Sequence, residues 1–161
     1  MHYVHNLYER IVMPRLIATL GFIGYLPAPG TCATLVTLLL VYGLYSMGAS
    51  LYLYALSIVI ATIVGFYASK NALRYFHHHD PCEMVIDELV GCLITFFAVP
   101  LSVSSVIVGF MLFRFFDITK IGGIRWLERR PGAWGIMLDD IGAGIASNVI
   151  LQGLYGSSLF S

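Results

Sequence analysis

Fifty-four consecutive residues, Leu16 to Ser69, carry no charged side chain. A helix that crosses the hydrocarbon core of a bilayer needs about 20 mostly apolar residues. The run therefore has room for two crossings, at about Thr31 to Met47 and Leu51 to Ser69, with Met47-Gly48-Ala49-Ser50 as the turn. Composition agrees: 58% of the 161 residues are hydrophobic and 11% charged, against roughly 25% charged in a soluble domain. Such apolar content excludes a disordered chain. Nine basic residues balance nine acidic ones, so no charge excess points to a nucleic-acid partner. Three cysteines are too few, and odd in number, for a secreted disulfide scaffold.

A second neutral run, Leu89 to Phe113, has Pro100 near its middle. It makes two arms only if each extends into flanking charged residues, at about 82–99 and 102–119. Asp87 and Arg114 then lie at one level, each ~20 Å from the turn at 1.5 Å per residue. A third neutral run closes the chain and predicts a last crossing at about 136–155. Every charged segment between the runs fits one side of the membrane. Lys120, Arg125, Arg129 and Arg130 supply the basic excess of a cytoplasmic loop. The expected fold is an all-α membrane bundle of four to five spans, a single domain over residues 1–161. His2 to Leu26 reads as an N-terminal interfacial helix rather than a cleavable signal peptide.

Scarcity makes the remaining acids informative. Seven of nine fall in three clusters: Asp80, Glu83, Asp87 and Glu88; Asp117; and Asp139 with Asp140. Carboxylates beside long apolar runs are costly unless solvated, paired or bound to a cation. Hard oxygen donors converging on a phosphate-sized space suit Mg²⁺; interfacial charges that merely end the spans are the competing explanation. Asp80-Pro81-Cys82-Glu83 has the form of a capping box, with Pro at the first helical position. Asp87 and Glu88 would then lie inside that helix, where capping does not account for them. Arg114 and Asp117, three apart, share a helix face, with Lys120 one step further. That pattern fits a local ion pair, or a carboxylate on a metal beside cations receiving phosphate oxygens. Asp139-Asp140 precedes Gly142, Ala143, Gly144 and Ala146, small residues that let helices approach closely; a carboxylate pair favoured by the helix dipole competes. Gly30-Thr31 marks a helix start whose free N–H groups suit an anion. His77-His78-His79 fits a solvated loop.

Several phosphate chemistries leave marks that this chain lacks. No cysteine has an arginine six positions later, no D-x-D pair exists, and neither the CDP-alcohol phosphatidyltransferase pattern nor a Walker loop is present. Acidic clusters on separate helices remain, and metal-assisted water attack is their natural use.

Four blocks, in order across residues 20 to 150, resemble the phosphatidylglycerophosphatase A family. The family's P-G-T-x-G-S stretch appears as Pro29-Gly30-Thr31-Cys32-Ala33-Thr34. Its D-P-x-x-x-V-I-D-E-x-x-G block runs from Asp80 to Gly91, its F-R-x-x-D-x-x-K-P block is met from Phe113 to Lys120, and its G-x-G-I-M-x-D-D-x-x-A-G block falls within Gly132 to Gly144. Two departures stand out: Ala33-Thr34 replaces the small G-S pair, and Ile121 replaces the proline after the lysine. The resemblance implies a Mg²⁺-dependent lipid phosphatase in the bacterial cytoplasmic membrane, its site facing the cytoplasm. It would convert phosphatidylglycerophosphate to phosphatidylglycerol and inorganic phosphate. Asp87, Glu88, Asp117, Asp139 and Asp140 are the expected metal and catalytic set, with Arg114, Lys120, Thr31 and Gly30 on the phosphate and Asp80 in a lesser role. The rival is a small cation transporter using the same carboxylates, which predicts acids near mid-span and a path through both leaflets.

Overall fold

A computed structural model describes residues 12–76 and 81–156. Among the described residues all regular structure is helical. A short α1 (Met13–Ala18) leads through a 3₁₀ turn to two long helices, α2 (Pro29–Ser46) and α3 (Leu51–Ala72). The Pro100 hairpin follows as α4 (Ile86–Thr95) and α5 (Val103–Thr119), then a single-turn α6 (Ile124–Glu128) and the long α7 (Ala133–Tyr155). The turn after α2 falls where the sequence places it. Ser50 caps α3 by accepting the Leu53 N–H at 3.3 Å.

Among the described residues, three helical stretches are long and apolar enough to cross a membrane: Pro29–Ser46, Leu51–Tyr75 and Ala133–Tyr155. Four to five spans were expected, and the difference lies in the Pro100 hairpin, whose arms are only 10 and 17 residues long. The capping box at Asp80 also fails as a helix start. Asp80 itself, like the three histidines, lies outside the described residues, but Pro81 to Val85 form a turn rather than a first helical turn. The Met84 N–H bonds back to the Pro81 carbonyl, and the Val85 N–H is taken by the Ala18 carbonyl at 2.9 Å. Those bonds delay the helix to Ile86. A Cβ on Gly24 would overlap the Glu83 carbonyl, so the N-terminal segment lies directly against this turn.

Helices α2 and α3 present large apolar side chains outward, among them Leu39, Tyr42, Ile60 and Tyr67, as a lipid-facing pair would. Helix α4 sits inside, packed chiefly on α7 and flanked by α2 and α3. Its contact with α7 depends on glycine. A Cβ on Gly144 would overlap the Gly91 carbonyl, and one on Gly91 would lie 2.7 Å from the Asp140 carbonyl oxygen. Two glycines thus bring the backbones into direct contact. Below them Leu93, Phe113, Leu151 and Val41 form a fully buried apolar cluster.

Because α4 stops after ten residues, its last carbonyls need partners inside the bundle. Asn148 of α7 donates to the Thr95 and Phe97 carbonyls at 3.0 and 2.7 Å. Gln152, one turn on, donates to the Asn148 side-chain oxygen at 2.9 Å, and Tyr54 of α3 donates to the Leu93 carbonyl at 3.1 Å.

Candidate active site

The N-terminal end of α4 faces a cavity of about 290 Å³ bounded by four helices and the turn before α4. Asp87 and Glu88 enter it from the first turn of α4. This corrects their expected place further inside a helix, and the α4 dipole favours negative charge where they stand. Arg114 and Asp117 enter from the last turns of α5, and Lys120 from its C-terminal cap. Asp139 and Asp140 enter from α7, as the seventh and eighth residues of a helix that begins at Ala133. Their depth removes the helix-dipole explanation, which acts within the first turn. They are 5% and 3% exposed.

The three sequence clusters therefore converge. One carboxylate oxygen each from Asp87, Glu88 and Asp140 lies within 4.8 Å of the other two, a spacing that could hold a metal ion. Asp87 Oδ1, Glu88 Oε2 and Asp140 Oδ2 are buried with no hydrogen-bond partner. Buried polar atoms are nearly always paired, and three buried carboxylates cannot share this space as anions without a cation. The donor set is all oxygen, which matches hard divalent cations rather than softer metals.

The cations of the site are already engaged. Arg114 Nη1 binds Asp117 Oδ2 at 2.5 Å and lies 4.0 Å from Glu88 Oε1, while its Nε is buried without a partner. Lys120 Nζ binds Asp139 Oδ2 at 2.5 Å and Glu128 Oε1 at 2.9 Å. Burial alone would lower the Lys120 pKa, but the hydrogen bonds and charges of Asp139 and Glu128 outweigh it and hold the ammonium above the usual lysine range. Lys120 adopts a left-handed backbone, φ 51°, which turns the chain out of α5 with its side chain towards Asp139.

Gly30 also lines the cavity. A Cβ there would overlap Glu88 Oε1 and come within 2.9 Å of Arg114 Nη1, so a larger residue would displace these charged side-chain ends. Helix α2 begins at Pro29, after Ala28 in a left-handed conformation. Thr31 is thus the third helical residue, and it is not among the residues lining the cavity. Sequence reasoning missed Glu128, since no helical register links it to Lys120. It also missed Cys82 and Met84 of the pre-α4 turn, which help wall the cavity.

The family model for phosphatidylglycerophosphatase A matches residues 16–155. A putative phosphatidylinositol-3-phosphatase of Bacteroides thetaiotaomicron is 37% identical over 86% of this chain and 91% of its own length. Phosphatidylglycerophosphatase A of Haemophilus influenzae is 35% identical over 78% of this chain and 77% of that protein. The Escherichia coli phosphatidylglycerophosphatase A is 38% identical over 62% of this chain and 59% of that protein. No solved structure matches.

Proposed function

The chain belongs to the phosphatidylglycerophosphatase A family, and from that premise we propose that it hydrolyses the terminal phosphomonoester of phosphatidylglycerophosphate, using a divalent cation such as Mg²⁺. The observation that carries this reading is the meeting, beside Arg114 in one polar cavity, of three carboxylates that each keep a buried oxygen without a hydrogen-bond partner. Asp87, Glu88 and Asp140 would hold the cation, with Asp117 and Asp139 as neighbouring carboxylates tied to Arg114 and Lys120. When bound, the cation supplies Lewis acidity and positive charge where the phosphate oxygens gather.

The side chains perform the rest. Arg114 offers further guanidinium donors to the phosphate, including an Nε with no protein partner, in the planar fork suited to such oxygens. Gly30 allows the phosphate close to the open N–H groups at the start of α2. Lys120, fixed between Asp139 and Glu128, offsets carboxylate charge at the rim. A water attacks phosphorus in line, forming a new P–O bond. A carboxylate oxygen of Glu88 or Asp140 left free of the cation accepts its proton. The bond to the lipid oxygen breaks, and that oxygen takes up a proton as phosphatidylglycerol leaves.

The acids sit together at one end of the bundle, beside the charged α5–α7 connection, so a lipid headgroup reaches them while its acyl chains remain in the bilayer. This end would face the cytoplasm of a bacterial inner membrane, where the basic residues of the α5–α7 connection favour it. A second substrate is favoured by one finding: the match that covers most of its relative, 91%, is to a putative phosphatidylinositol-3-phosphatase. Phosphate release from phosphatidylglycerophosphate and from phosphatidylinositol 3-phosphate, side by side in mixed micelles with and without Mg²⁺, decides. Release from the former is expected. Release from the inositol lipid alone would move the headgroup, and release from neither would overturn the reading.

A further inference from the structure

Two more cavities lie in series with the catalytic one. The first, about 320 Å³, is walled by Arg129, Arg130, Gly135 and Ile136, and it shares Asp139 with the catalytic cavity. Glu128, on its rim, holds Lys120 of the catalytic cavity. The second, also about 320 Å³, shares Arg130 and Pro131 with the first and is otherwise walled by Trp126, Leu127, Trp134 and Leu138. Along this series the chemistry changes in a fixed order. It begins with carboxylates, passes to a pair of arginines, and ends in an apolar groove edged by two exposed tryptophans.

Both acids in the middle cavity are paired with Lys120. Neither Arg129 nor Arg130 meets a carboxylate at ion-pair distance among the described residues. Arg130 instead stacks on Trp126, its guanidinium carbon 3.9 Å from the ring centroid, which leaves its edge donors open. Exposed tryptophans beside arginine mark the level where headgroups meet acyl chains.

We infer that the Arg129–Arg130 cavity is a binding site for a lipid phosphodiester, and that the Trp126–Trp134 groove receives the glycerol-ester start of the same lipid. This rests on the phosphomonoester reading of the neighbouring cavity. A lipid with a terminal phosphomonoester, a short polar linker, an internal phosphodiester and two acyl chains presents the three chemistries in the order in which the cavities run. The arginines then select lipids that carry a diester behind the reacting phosphate and disfavour those whose reacting phosphate is attached directly to diacylglycerol.

Two measurements on the full chain in mixed micelles test this. In the first, Arg129→Gln and Arg130→Gln are expected to raise the KM for phosphatidylglycerophosphate by about tenfold each, the scale of one charge-assisted contact, with kcat retained. A fall in kcat at unchanged KM would overturn the site. The second needs no turnover. Trp126 and Trp134 are the chain's two tryptophans, so fluorescence excited at the red edge, where tyrosine does not absorb, reports the groove. Phosphatidylglycerol brominated near the top of its acyl chains should quench them more than equally brominated diacylglycerol, and the double arginine variant should lose that preference. Equal quenching by both lipids in the unmodified protein would overturn the proposal. Failure of the unmodified protein to release phosphate would count against the substrate reading alone, and the quenching would still test the diester site.

Discussion

The two ends of α4 are both buried and both polar, yet they are treated in opposite ways. At the C-terminal end the carbonyls of Leu93, Thr95 and Phe97 receive donors from Tyr54 and Asn148. At the N-terminal end Asp87 Oδ1, Glu88 Oε2, Asp140 Oδ2 and Arg114 Nε have none, and only Ser69 Oγ, on α3, joins them among the described residues. A membrane interior makes an unpaired polar group expensive. The end that satisfies its groups is holding the bundle together. The end that leaves them open is arranged for something that arrives.

Substitutions at the two ends should therefore separate activity from stability. The largest effect is expected for Asp140→Asn or Asp87→Asn, which weaken the cation site. Phosphate release should fall by roughly a thousandfold, the several kcal/mol that a metal contributes to such a transition state. Thermal stability in detergent should hold or rise, because a buried like-charge contact is relieved. Asn148→Leu should do the reverse, losing about 1–3 kcal/mol of stability from stranded carbonyls while the folded fraction keeps its turnover. If both substitutions cost stability alone, the distinction between the ends fails.

A smaller loss, about ten- to a hundredfold in kcat/KM, is expected for Arg114→Lys, since an ammonium cannot reproduce the fork that spans Asp117 and an incoming phosphate. Gly144→Ala links the two ends. Its Cβ must push α7 off the Gly91 carbonyl, at a cost of about 1–3 kcal/mol, and this parts Asp140 from Asp87. The concentration of Mg²⁺ needed for half-maximal activity should rise along with the loss of stability. The smallest effect concerns pH. Lys120 has a raised pKa, so its contribution to stability is complete below the ordinary lysine pKa of about 10.4. That contribution is lost only as pH climbs through the higher folded value. The Tm difference between the unmodified protein and Lys120→Met should stay constant from neutral pH to about 10 and narrow above it.

Much of the charged end was legible because so few charges interrupt the apolar runs. The Met47–Ser50 turn, the Pro100 hairpin and the convergence of three acidic clusters all follow from where charges stop and start. The neutral end was not. Asn148 and Gln152 lie four apart in an apolar span, a hint that α7 turns a hydrogen-bonding face inward, but their partners exist only because α4 ends at Thr95. That early end is a tertiary effect, like the late start at Ile86 imposed by the bond from Val85 to Ala18. Glu128 was invisible for a similar reason: its pairing with Lys120 depends on the fold of α6 against α7.

The most direct test of the open end is a cation titration. Purified protein is stripped with EDTA and assayed for phosphate release from phosphatidylglycerophosphate as Mg²⁺ is added back, with Asp87→Asn in parallel. The expected result is no release in EDTA and saturable recovery in the unmodified protein. Asp87→Asn should recover little activity, and only at much higher Mg²⁺. Full activity in EDTA, or an identical Mg²⁺ dependence in the variant, would contradict the assignment of these carboxylates to a cation.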